Sequence, residues 1–200
     1  MSTTIVHLVR HGEVHNPARI LYGKLPGYHL SSRGRSQAAR TAQEFSGHDV
    51  TYLGVSPMQR AQETAEPFAE ITGSEVNTVE EIIEAGNRFE GLRTKGWRSQ
   101  LWNPARWPLM FNPIEPSWGE PYVEIAERMM GAVYAARNKA EGHEAILISH
   151  QLPIVMVQRF ARDLPLAHAG RQCELASVTS LVFEGEEISD IFYSTPAKAI

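Results

Sequence analysis

Two rhythms of apolar positions alternate along the chain. Thr3 to Val9 (TTIVHLV) is short, β-branched and apolar, and it stops at Arg10-His11-Gly12. That is the pattern of a buried strand running into a glycine-containing loop. A loop rich in proline and glycine follows through Pro17, Gly23, Pro26 and Gly27. Ser31 then stands where a helix N-cap belongs, ahead of Ala38, Ala39, Ala42 and Phe45 on one helical side. Thr51 to Val55 is a second short strand. Ser56-Pro57 is expected to open a helix, with serine as the cap and proline where its missing N–H costs nothing. Gly73 closes that helix after Thr72. A third helix is expected over Tyr122 to Ala140, a strand over Glu144 to Ser149, and a helix from Pro153 to about Arg162. Ser177 to Glu184 and Glu187 to Tyr193 are expected to be strands joined by a tight turn at Gly185. This alternation predicts an α/β fold with a mostly parallel sheet and helices on both faces.

Composition narrows the class. The 200 residues carry a net charge of −4, which excludes a globally basic nucleic-acid binder and leaves room for a local basic pocket. The single cysteine, Cys173, forms no internal disulfide and no cysteine metal cluster. No secretory signal is visible, and no stretch approaches the roughly 18 apolar residues of a membrane span. The expected compartment is the cytoplasm, with no membrane or nucleic-acid partner. Residues 1–200 are expected to form one domain with an insertion or lid at about 92–118. Leu92 to Ser117 holds four prolines and the tryptophans Trp97, Trp102 and Trp107. It also holds Arg93, Lys95, Arg98 and Arg106, with no acid before Glu115. Two readings of this stretch stand side by side: a small satellite core, or a lid in which Arg93, Trp97 and Arg98 select the organic part of a substrate.

In open parallel sheets, ligands bind beyond the carboxyl ends of strands. Those ends deliver Arg10-His11-Gly12-Glu13, Ser56 with Arg60 one turn into its helix, and Ser149-His150. If the strands are neighbours, two histidines and two arginines converge on one crevice, and phosphate is its natural ligand. The helix N-terminus at Ser56-Pro57 would add backbone donors. A neutral imidazole there can attack phosphorus, the arginines stabilise the transition state, and a carboxyl group must protonate the leaving oxygen. Glu84 is the candidate acid. The stretch His11-Gly-Glu-Val-His15 lacks the spacing of a helical zinc motif, so no metal is expected. His7 is expected to be packed within its strand, and His29, His48, His143 and His168 to lie at the surface or in loops.

These residues resemble the histidine phosphatase superfamily, also called the phosphoglycerate mutase-like family. LVRHGE (Leu8 to Glu13), LSSRGRSQA (Leu30 to Ala38), SPMQRAQETA (Ser56 to Ala65), EAGNRFEG (Glu84 to Gly91) and ILISH (Ile146 to His150) match its blocks in order. The resemblance implies a three-layer α/β/α sandwich, a phosphohistidine formed without a metal, and no cofactor. It makes His11 the nucleophile, Glu84 the acid and base, and Arg10, Arg60 and His150 the phosphate pocket. Asn16 and Gln151 are further phosphate-binding candidates. Asn16 lies five residues after the nucleophile where the family often has asparagine six after, and Gln151 replaces the usual glycine. The glutamate block is one residue shorter between its acids, which keeps Glu80 and Glu81 open as alternative acids.

The expected activity is a phosphomonoesterase acting on a small phosphorylated metabolite. A cofactor-dependent phosphoglycerate mutase is the first alternative, and a non-catalytic phospho-ligand binder the second. A homodimer is left open.

Overall fold

The structure, a computed structural model, describes residues 2–93, 99–100, 119–167, 170 and 172–200. Trp97, Arg98 and nearly all of the expected lid therefore lie outside the described residues. A six-stranded sheet forms the middle layer. Its strands are β1 (Thr3–Arg10), β2 (Val50–Val55), β3 (Val76–Thr78), β4 (Glu144–Ser149), β5 (Val178–Glu184) and β6 (Glu187–Ser194). They lie in the order β3-β2-β4-β1-β5-β6. The first four strands are parallel, and β5 pairs antiparallel with both β1 and β6.

Side-chain alternation splits the sheet into two apolar faces. Val6, Leu8, Ala145, Leu147, Leu181 and Phe183 pack with helices α3 (Tyr122–Lys139) and α4 (Gln151–Phe160). Val9, Leu53, Val55, Ile146 and Ile148 pack with α1 (Ser32–Gln43) and α2 (Gln59–Thr72). The result is the expected three-layer sandwich. Among the described residues no helix is long and apolar enough to cross a membrane.

Most expected elements appear within a few residues of their expected bounds. Ser31 caps α1 by accepting from the Gly34 N–H, and Gly185, at φ 64°, lies in the turn between β5 and β6. Three details differ. The helix expected at Ser56-Pro57 begins at Gln59, with Met58 as an N-cap that offers no side-chain bond. Ser56 stays in line with β2, its N–H on the Ile148 carbonyl at 3.0 Å, and its hydroxyl reaches the Met58 N–H, ahead of the helix, only at 3.4 Å. Helix α4 starts earlier than expected, with His150 in extended conformation as its N-cap. Strand β3 was not expected: its three residues are all exposed and show no alternation.

The loop after β1 depends on a close approach of two glycines. A Cβ on Gly12 would meet the Gly34 carbonyl oxygen at 2.4 Å, and one on Gly34 would meet the Glu13 oxygen at 2.0 Å. Glu13 completes the joint: its carbonyl accepts from the Ser31 N–H and its carboxylate from the Ser31 hydroxyl. Gly12→Ala should therefore destabilise the fold by about 1–3 kcal/mol, the usual cost of overpacking, as read by urea unfolding. An unchanged midpoint would mean the joint has slack.

Candidate active site

The β1–β4 register places Arg10 beside Ser149, so His11 emerges next to His150. Their ring centroids are 5.2 Å apart. Both histidines and Arg60 are buried, with exposures of 2%, 0% and 0%. His11 and Arg10 border a cavity of about 560 Å³, which Asn16, Arg19, Leu21, Tyr22, Glu84, Glu120, Tyr122, Gln151 and Leu152 also line.

Hydrogen bonding fixes the protons. The His11 Nδ1 lies 2.7 Å from the Gly12 carbonyl, which can only accept. Nδ1 therefore carries the proton and Nε2 the lone pair. His150 Nδ1 faces the Arg60 Nη2 at 3.1 Å, and a guanidinium can only donate. So Nδ1 accepts, and the proton on Nε2 goes to the Ser56 hydroxyl at 2.8 Å. Burial, then Arg60 and Arg10, hold the His11 pKa well below that of an ordinary histidine. Burial, then Arg60 and neighbouring His11 and Arg10, do the same to His150.

The arginines sit at two depths. Arg10 Nη1 donates to the Cys173 carbonyl at 2.6 Å, and Arg10 lines the cavity. Arg60 lies one layer beneath, where its Nη2 donates to the Gly23 carbonyl at 2.8 Å. The Tyr22 ring stacks 4.9 Å from its guanidinium carbon. Burial lowers the Arg60 pKa, while Glu84 and Tyr22 oppose that shift. Among the described residues, Arg10 Nε and Arg60 Nε and Nη1 are buried without a hydrogen-bond partner.

Of the three glutamates left open as the acid, Glu84 lines the cavity, whereas Glu80 and Glu81 are exposed on a short 3-10 turn, Glu80–Ile82. The Ser149 hydroxyl bonds the Ile82 carbonyl at 2.7 Å and anchors that turn to the end of β4. Arg128 of α3 clamps it from outside. It forks onto both oxygens of Glu120 at 2.6 and 3.1 Å and also donates to the Glu81 and Ile83 carbonyls. Glu84 Oε1 accepts from the Ala85 N–H at 2.9 Å.

The other candidates fall in several places. Asn16 lines the cavity, and both ends of its amide engage the peptide groups of Ile20 at 2.8 and 3.0 Å. Gln151 opens α4 at the cavity wall, with its side chain on the Cys173 carbonyl at 3.2 Å. The positive end of the helix dipole thus comes from α4. It does not come from Ser56-Pro57, neither of which lines the cavity. Arg93 does not line it either. Its backbone bridges Ile20, and its N–H and carbonyl bond Gln100. Sequence reasoning missed Tyr22, Arg128 and Ser149 as contributors. The one sequence signal for any of them was Ser149 preceding His150 at a strand end.

The family model for the histidine phosphatase superfamily (branch 1) matches residues 6–190. The chain belongs to this superfamily. It is 47% identical to the uncharacterized protein Rv0525 of Mycobacterium tuberculosis, over 97% of both chains. It is 30% identical to the probable phosphoglycerate mutase GpmB of Cronobacter sakazakii, over 85% of this chain and 80% of that one. It is 29% identical to phosphoserine phosphatase 1 of Hydrogenobacter thermophilus, over 74% of this chain and 71% of the relative. The solved structure of Bacillus stearothermophilus YhfR superposes with a TM-score of 0.79 at 23% identity, covering 92% of this chain and 94% of that one, which shows the shared fold. The superfamily's members include phosphatases and mutases, and this histidine phosphatase fold carries both histidines and both arginines at the carboxyl end of its sheet.

His11 should stay overwhelmingly neutral at pH 6.5, where an unperturbed histidine is half protonated. Arg60→Gln removes a cation that disfavours the imidazolium, so the His11 pKa should rise. Histidine NMR titration reads both, and a His11 midpoint at the ordinary value would refute the electrostatic assignment.

Proposed function

We propose that the protein is a metal-independent phosphomonoesterase that works through a phosphohistidine on a small phosphorylated metabolite. The observation carrying this reading is the set of buried, unpartnered guanidinium donors of Arg10 and Arg60 around a neutral imidazole. Buried donors without partners are costly, and an anion at this point satisfies them.

The ester phosphate docks against Arg10 and the N-terminal end of α4. The His11 Nε2 lone pair attacks phosphorus, an N–P bond forms, and the P–O bond to the organic group breaks. Glu84, protonated, gives its proton to the departing oxygen. Arg10 and, from beneath, Arg60 offset the charge on the equatorial oxygens. His150 acts mainly through Arg60, whose Nη2 it holds. Water then enters, Glu84 as carboxylate takes its proton, the N–P bond breaks, and inorganic phosphate leaves His11 as it began.

The GpmB relative keeps the mutase reading in view. A mutase substrate brings a carboxylate and a second phosphate, which require further cations. Among the described residues lining the cavity, the cations are Arg10 and Arg19, Glu84 stands against them while Glu120 is paired with Arg128, and much of the remaining wall is apolar. That lining supports hydrolysis of a monoester.

A series of phosphate esters tests the assignment. In single-turnover measurements of phosphoryl transfer to His11, Glu84→Gln should slow alkyl esters by about 10²–10⁴-fold and barely affect nitrophenyl phosphate, whose leaving group needs no proton. Equal losses for both would remove Glu84 from the acid role. Chelator should leave the rates unchanged. Bisphosphoglycerate-dependent isomerisation of 3-phosphoglycerate, without hydrolysis, would establish the mutase instead. In the acid limb, protonation of His11 is what abolishes attack. Because its pKa is depressed, kcat/KM should hold as pH falls through 6.5 and decline only well below it.

A further inference from the structure

A second cluster of chemistry sits on the same strand as His11. His7 lies four residues earlier, about 13 Å along the strand at roughly 3.3 Å per residue. It faces the α1–α2 side and packs edge-on against Phe45 at 5.0 Å. On the adjacent strand, Glu144 pairs with Ile5, one pleat away from His7. The turn after α1, which passes through Gly47 at φ 83°, brings in His48. A bond from the Glu144 N–H to the Asp49 carbonyl at 3.0 Å fastens that turn to the start of β4. Glu144 Oε2 then lies 2.9 Å from His7 Nε2 and 2.8 Å from His48 Nδ1. All three donor atoms lie within 4.8 Å of one another, and no other group of three of this kind occurs among the described residues.

We infer that His7, His48 and Glu144 form a binding site for a divalent transition-metal ion of the zinc type, apart from the reaction centre. This goes beyond the sequence-based expectation of no metal and is independent of the proposed hydrolysis.

The donor set selects the ion. Two imidazole nitrogens and one carboxylate oxygen suit Zn²⁺ or Co²⁺ and disfavour Mg²⁺ and Ca²⁺, which take oxygen ligands. Ser180 on β5 supplies the outer support: its hydroxyl lies 2.8 Å from His7 Nδ1 and fixes the ring with Nε2 toward Glu144. His7 and Glu144 side chains are mostly buried at 8% and 19% exposure, whereas His48 is 43% exposed and provides the entry path.

Metal bonds of about 2.0–2.2 Å in a tetrahedron separate ligand atoms by about 3.4 Å, so the present N···O spacings must widen by about half an ångström. The exposed His48 ring can supply most of that movement. The proton balance is local. Each imidazole exchanges its N–H···O bond to Glu144 for lone-pair donation. The His7 proton moves to Nδ1, where the Ser180 oxygen accepts it, and the His48 proton moves to its Nε2. Three ligands leave a fourth position for water. An ion so held ties β1, β4 and the α1–β2 turn together.

The test uses the full-length, metal-stripped protein titrated with Zn²⁺ by calorimetry and with Co²⁺ by visible absorption. One equivalent should bind, Co²⁺ should give the intense bands of a tetrahedral site, and Zn²⁺ should raise Tm. His48→Ala and Glu144→Gln should each weaken binding at least tenfold. Glutamine retains hydrogen-bonding capacity while losing the charge, so circular dichroism should confirm an intact fold in that variant. Equal affinity in the wild type and both variants, or a Co²⁺ spectrum of weak octahedral type, would mark only adventitious binding to surface histidines and overturn the inference.

Discussion

The rest of the site depends on a cation with nowhere else to put its charge. Arg60 is fully buried, and two of its nitrogens have no partner among the described residues. A charge removed from water is expensive unless it is paired and hydrogen-bonded. Its Nη2 spends its bonds on a backbone carbonyl and on His150, so it dictates the tautomer of that ring and, through it, the Ser56 bond. Its field, added to burial and to Arg10, keeps His11 unprotonated. A neutral nucleophile and an attraction for anions thus have one cause. In the proposed reaction, that coupling would let His11 attack a phosphate without first losing a proton.

The fold supplies the geometry through register rather than loop shape. Parallel pairing of β1 with β4 sets Arg10 opposite Ser149, and the next residue after each strand is a buried histidine. Ser149 then reaches across to the Ile82 carbonyl, so the strand that delivers His150 also anchors the turn leading to Glu84. Arg128 and Glu120 hold that turn from outside. His11 and Glu84 are therefore connected through short hydrogen-bonded links.

Much of this arrangement was legible beforehand. The buried strand TTIVHLV, the Ser31 cap and the strand-end histidines follow from local rules, and five ordered blocks pointed to the family. What escaped was non-local. Ser56 looks like a cap in sequence, but continued sheet bonding to Ile148 keeps it ahead of the helix, where its hydroxyl makes its short bond to His150. Strand β3 is too short and too exposed to show a period. Arg128 is one arginine on an amphipathic helix, and its fork onto Glu120 exists only once α3 is folded. Asn16 carries the residue type of a phosphate ligand, and its amide is engaged with Ile20 instead.

The most direct measurement is chemical trapping of the intermediate. Protein mixed with a good phosphate ester and quenched in base within one turnover should carry one phosphoryl group on His11. The bond should be stable to alkali and labile to acid, and His11→Ala should carry none. Steady hydrolysis with no phosphorylated histidine at any quench time, or the group found on another residue, would contradict the account.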